Sequence, residues 1–126
     1  MKVRDLMSYP IATVRPEATV LDAIKRMANE KNGCVLVARD GLLKECRGIV
    51  TTSQIFLKVF SEGQDPATIA VTEIMTPGPL VTIDLDASTR EAARLMREHN
   101  IRRLPVMKEG ALLGIITSKD LLSCVV

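Results

Sequence analysis

The chain reads GIVTTSQIF from Gly48 to Phe56 and GIITSKDLL from Gly114 to Leu122. Each copy opens on Gly, passes through two β-branched aliphatic residues to Thr, and enters a segment with helical character. A strand running into a helix fits both. Thr51 with Gln54, and Thr117 with Asp120, stand at capping-box spacing, where the Thr hydroxyl accepts from a free first-turn N–H and the later side chain reaches back. Gln and Asp both serve that purpose, so capping explains the shared pattern and leaves the change from amide to carboxylate open.

The two phrases are the ends of a longer duplication. Laid on itself, the sequence pairs Thr13 with Thr82, Ala18 with Ala87, Ala23 with Ala92, Met27 with Met96, Val37 with Val106 and Gly41 with Gly110. A longer loop in the first copy, around GLLKECRG (Gly41 to Gly48), then shifts the pairing so that Gly48 meets Gly114 and Thr51 meets Thr117. Upstream, VRDLM (Val3 to Met7) matches VTEIM (Val71 to Met75). One unit is therefore written twice.

Each unit follows one order. A short β-branched segment (Ala12 to Val14; Leu80 to Ile83) precedes a helix opened by Thr19 with Asp22 or Ser88 with Glu91. Val20, Ile24, Met27 and Ala28 form its apolar face in the first copy, and Ala92, Ala93 and Met96 in the second. Two strands follow with a Gly-containing turn between them, and a last helix carries Ile55, Val59 and Phe60, or Leu121, Leu122 and Val125. The expected class is α/β (α+β), two β-α-β-β-α repeats with a parallel crossover and a hairpin in each. SEGQDPAT (Ser61 to Thr68) marks a linker, which gives repeat 1 at 1–60, linker at 61–70 and repeat 2 at 71–126. Units this small bury little surface alone, so the copies are expected to pack around a pseudo-two-fold axis with two related clefts.

Composition narrows the function. Hydrophobic residues make up 47% and charged ones 25%, an ordinary globular balance. Aromatics are 2%, namely Tyr9, Phe56 and Phe60, so stacking platforms for single-stranded nucleic acid are lacking. The net charge of +2 comes from interspersed signs, and no basic face is evident. No apolar run nears the ~18 residues of a membrane span, and no signal core opens the chain, so a cytoplasmic protein is expected. Cys34, Cys46 and Cys124 are widely spaced, which argues against a disulfide framework. With one histidine and neither a Walker nor a dinucleotide phosphate loop, an enzyme is not expected.

Two units ending in Gly-aliphatic-x-Thr-x-x-Asp or Gln, with DLM and EIM ahead of each first strand and IRRLPVM from Ile101 to Met107, resemble a tandem pair of CBS domains, the module named after cystathionine β-synthase. The resemblance spans Val3 to Val126 and implies a stand-alone regulatory module, concerned with energy sensing, that binds AMP, ADP or ATP in the inter-repeat clefts. S-adenosylmethionine and NAD are further ligands of that kind. It also implies disc-like dimers, hence a homodimer here, acting on a protein partner that remains unknown.

Carried over residue by residue, the resemblance puts the base on Thr82 and Ile83, the ribose on Asp120, and the phosphate on Thr117, with Ser118 beside it. Within IRRLPVM it adds Arg103 as a phosphate contact, with Arg102, Leu104 and Pro105 around it. The residues agree: an ionised carboxylate only accepts hydrogen bonds and suits a ribose diol, and a helix start suits a phosphate. A solvated or interfacial pair is the other reading of Arg102 and Arg103. Repeat 1 offers Thr13, Val14, Thr51 and Gln54, with Gly33 and Cys34 where the arginines stand, and is expected to form the weaker cleft. His99, at a helix end, suits the dipole there. Zinc binding by Cys34, Cys46, Cys124 and His99 is not supported by their spacing. Met7, Met27, Met75 and Met96 recur at matched sites and read as core or interface filler. The competing function is an interaction scaffold that works through its surfaces with no physiological nucleotide.

Overall fold

The computed structural model describes residues 1–30 and 33–125. Val126, the end of repeat 2 as bounded from sequence, lies outside them. The chain packs as two units. One is Ala12–Pro79; the other joins Met1–Ile11 to the segment from Leu80 onward.

In the Ala12–Pro79 unit, β1 (Thr13–Val14) runs parallel to β2 (Cys34–Ala38), with α1 (Val20–Glu30) as the crossover. β2 pairs antiparallel with β3 (Cys46–Thr51), and β3 with β4 (Thr76–Pro77). All five residues of β2 are buried, as expected for a central strand covered on both faces. Val20, Ala23 and Met27 of α1 pack with Val35, Val37 and Val50 of the sheet. Ile55 and Val59 close the core from α2 (Thr52–Ile55) and the π-helical turn Phe56–Phe60 that continues it.

The other unit repeats this order. β5 (Ile83–Asp84) runs parallel to β6 (Arg103–Lys108) across α3 (Thr89–His99), and β6 pairs antiparallel with β7 (Ala111–Thr117), which leads into α4 (Ser118–Ser123). Ser8 takes the place β4 holds in its counterpart: the Ser8 N–H donates to the Ile115 carbonyl at 2.9 Å, and the Ile115 N–H donates back at 3.0 Å. Val3 is fully buried here among Ile83, Ala92, Met96, Leu104, Val106 and Ile116. In the same way Val71 and Ile74, which precede the second repeat in sequence, belong to the core of the first. Each lead-in completes the other repeat.

This exchange explains the glycines that open both quoted phrases. A Cβ on Gly114 would run into the Ser8 carbonyl oxygen and lie 3.1 Å from Met7 Sδ; on Gly48 it would meet the Thr76 carbonyl and Met75 Sδ at 2.8 Å. Only a residue without a side chain permits this approach.

Some local expectations hold and others are corrected. Thr19 and Asp22 form both capping bonds, at 2.9 and 3.1 Å. Ser88 caps the Glu91 N–H at 3.0 Å, but the Glu91 carboxylate pairs with Arg94 one turn on, where an ionic partner outcompetes the neutral N–H. Ala28 and Ala93 are exposed, not core. So are Phe60, Leu122 and Val125, because Ile55 and Val59 fill the inward positions of their helix, and Leu121 those of α4. Every aromatic residue of the chain is exposed.

Candidate functional site

Thr117 ends β7 in extended conformation and caps α4. Its hydroxyl accepts from the Asp120 N–H at 3.2 Å, and its own N–H donates to Asp120 Oδ2 at 2.9 Å. Thr51 and Gln54 form the same reciprocal pair at 3.3 and 2.8 Å. Capping operates at both junctions. Their difference lies in what each side chain has left.

The Gln54 amide is used at both ends: Oε1 accepts from Thr51, and Nε2 donates to the Thr76 hydroxyl on β4. Asp120 uses Oδ2 on its cap, and its Oδ1 has no hydrogen-bond partner among the described residues. Ser8, which stands where Thr76 stands, makes no bond to it. A half-buried carboxylate thus keeps one acceptor oxygen.

Arg103 is the register partner of Thr117 on the neighbouring strand, as Cys34 is of Thr51. Arg103 is half-buried and has no ion-pair partner among the described residues, while Arg102 is exposed. Strand alternation separates the two as expected. The Arg102 carbonyl accepts from the Ser118 N–H at 2.9 Å. That bond, with the Asp120 N–H on Thr117, consumes two of the donors the helix start offers. α4 is only six residues long. The helix start therefore keeps few free donors, and Arg103 supplies the positive charge at this strand end.

Thr82 is half-buried, and its hydroxyl donates to Met107 Sδ at 3.3 Å. The side chains of Ile83 and Leu104 belong to the core, so these two present only backbone. Pro105 is buried opposite Ile115. In repeat 1 the matching residue is Leu36, whose N–H donates to the Ala12 carbonyl at 3.0 Å and pairs Leu36 with Thr13 in the β1 ladder. Pro105 has no N–H to give Val81, and the β5 ladder begins only at Ile83 with Val106. The strand edge at Val81 and Thr82 is left open where the edge at Ala12 and Thr13 is closed. Thr13 and Val14, both half-buried, sit in that closed edge.

The sequence reading missed this edge and the Gln54–Thr76 bond. Pro at 105 against Leu at 36 was the available signal for the first; nothing in residue spacing signals the second. Cys34 is buried, Cys46 half-buried and Cys124 exposed, none of them in a disulfide, and burial pushes the Cys46 thiol up in pKa. No group of three or more His, Cys, Asp or Glu able to hold a metal occurs among the described residues. His99, the last residue of α3, is exposed. Tyr9 is exposed as well.

Comparison with known proteins follows the same lines. A family model for the CBS domain matches the chain twice, over 3–61 and 71–126. The CBS domain-containing protein YhcV of Bacillus subtilis is 35% identical over 119 residues, spanning 94% of this chain and 81% of that protein. The solved structure of a hexameric CBS-CP12 protein from bloom-forming cyanobacteria is 36% identical with a TM-score of 0.83, covering 97% of this chain and 69% of the other. A CBS-domain containing protein from Agrobacterium tumefaciens, 25% identical, covers all of both chains with a TM-score of 0.83. No helix among the described residues is long and apolar enough to cross a membrane. With two matched copies spanning nearly its whole length, the chain belongs to the CBS domain family.

Proposed function

We propose that this chain is a non-enzymatic regulatory module that takes one adenine nucleotide, of AMP, ADP or ATP type, at the β7–α4 junction of its second repeat. One observation carries the reading. Asp120 keeps a free carboxylate oxygen beside the strand end where Arg103 faces Thr117, whereas repeat 1 has a tied amide and a thiol in the same positions. A carboxylate accepts from ribose hydroxyls, a guanidinium meets phosphate, and the strand edge opened by Pro105 offers backbone to a base. S-adenosylmethionine and NAD carry the same adenosine diol and belong in the same comparison. The homodimer expected from sequence is retained as part of this proposal, and the hexameric relative supports self-association.

Calorimetric titration with AMP, ADP, ATP, NAD and S-adenosylmethionine tests the reading. One tight site per chain is expected, and at about 100 times the dissociation constant the ligand adds ~2.7 kcal/mol to folding stability. Two equal sites would refute the asymmetry. Absence of binding by every nucleotide would favour the scaffold reading, which draws on the apolar surface of α1 and α2.

A further inference from the structure

The two lead-ins are fastened unequally. The segment from Ile74 to Gly78 is tied to repeat 1 by donors beyond its strand ladder. Gln54 Nε2 donates to the Thr76 hydroxyl, Lys58 Nζ donates to the Ile74 carbonyl at 3.1 Å, and the Gly78 N–H donates to the Arg47 carbonyl at 2.8 Å. The segment from Leu6 to Pro10 holds the matching place on repeat 2 and loses each of these donors. Asp120 replaces Gln54, and a carboxylate only accepts. Cys124 replaces Lys58 and turns its thiol to the Leu121 carbonyl of α4, at 2.9 Å. Pro10 replaces Gly78 and has no N–H. Beyond Met7, the Ser8–Ile115 pair alone bonds this segment to β7 among the described residues. The backbones are otherwise alike, since Gly114 approaches the Ser8 carbonyl as closely as Gly48 approaches that of Thr76. Ser8 thus stands to Asp120 as Thr76 stands to Gln54, but its hydroxyl and Asp120 Oδ1 are both left without a partner among the described residues.

We infer that the segment Met7–Pro10 is a strap which the nucleotide itself fastens. The inference rests on the proposed site at the β7–α4 junction and adds the conformational output of that site. A ribose hydroxyl donates to Asp120 Oδ1 and accepts from the Ser8 hydroxyl, so it does in repeat 2 what the Gln54 amide does in repeat 1. The chemistry selects a hydroxyl, because joining an acceptor-only carboxylate to Ser8 takes a group that donates and accepts at once. The start of the lead-in is anchored without ligand: Val3 is buried, and Arg4 and Lys2 both pair with Asp86. Ligand therefore orders the far end only. Repeat 1 is the permanently fastened form of the state that repeat 2 reaches on binding. The coupling is reciprocal, so whatever pulls on the strap weakens the nucleotide.

Amide hydrogen exchange on the full chain, read residue by residue by NMR, tests this. In the free chain the Ser8 amide is expected to exchange by local opening, faster than the core amides of β6 and β7. Saturating AMP is expected to slow it about tenfold, the equilibrium worth of one hydrogen bond. Saturating 2′,3′-dideoxy-AMP is expected to protect the amides around Arg103 and leave Ser8 as in the free chain. Ser8→Thr with Asp120→Gln rebuilds the repeat 1 latch, and is expected to slow the amide of residue 8 about tenfold with no nucleotide present. A thermal melt verifies that this variant is folded. AMP that neither binds nor alters any amide would overturn the nucleotide site itself. The strap alone would be overturned by AMP that protects Arg103 and Thr117 but not Ser8, or by dideoxy-AMP that slows Ser8 as much as AMP does. A folded latch variant whose residue 8 exchanges as in the parent would overturn it too.

Discussion

Arg103 lies directly opposite Thr117 in the β6–β7 ladder, and the residue three positions after Thr117 is Asp120. A guanidinium, a hydroxyl and a carboxylate with one free oxygen are thereby gathered at one end of a sheet. The same ladder position in repeat 1 joins Cys34 to Thr51. The strand register that holds the fold also determines which repeat carries charge at its junction, and the predictions for binding follow from it.

Asp120→Asn is expected to weaken nucleotide binding by roughly 1–3 kcal/mol, the scale of a hydrogen bond to a charged group. Its amide oxygen still accepts from the Thr117 N–H, so the melting temperature stays close to that of the parent. Asp120→Ala loses the cap as well and should cost about 1 kcal/mol of stability. Calorimetry and thermal melts on the two variants separate the roles. Parent-like affinity for Asp120→Asn would leave Asp120 with capping alone.

As the proposed phosphate contact, Arg103 would make binding sensitive to phosphate and to salt. AMP should bind more tightly than adenosine, and the difference should narrow as salt rises, since Arg103 is only half-buried and open to screening. Arg103→Ala should bring the two ligands to similar affinity. Competition titrations at low and high salt provide the check.

Gly114→Ala places a methyl group against the carbonyl of Ser8, a residue that exchanges two backbone bonds with Ile115 and cannot move cheaply. A destabilisation of about 1–3 kcal/mol is expected, as for overpacking elsewhere. Gly48→Ala should behave alike for the same reason. Urea unfolding measures both, and an unchanged midpoint would mean that the lead-in segment is not held against β7 in solution.

Asp86 anchors the N-terminal lead-in. Hydrogen bonds from Lys108, at 3.1 Å, and from Arg4 hold its carboxyl below the usual aspartate range. A carboxylate with a depressed folded pKa stabilises the fold above its unfolded pKa of about 4, and that contribution disappears as pH falls through the folded value. Asp86→Asn should therefore be less stable than the parent near neutral pH, and the gap should close in acid. Its exposure makes the effect small and salt-dependent. Denaturation at a series of pH values reads the gap directly.

Features that depend on residues three or four apart were already determined by the sequence. The duplication, the β-α-β-β-α order, the parallel crossover with its hairpin, and the Thr51–Gln54 and Thr117–Asp120 caps all arise from local spacing and periodicity, which act within one turn or one strand. Ser88 with Glu91 shows the limit, since a second local partner, Arg94, took the carboxylate. Tertiary structure alone decided the rest. The lead-in Val3–Met7 enters the core of the distant repeat, the Gln54 amide is engaged by Thr76, Pro105 opens the edge at Val81, and Phe56 and Phe60 face outward. Each depends on contacts between segments far apart in the chain, where burial is won by whichever surfaces fit, and residue spacing carries no record of that competition.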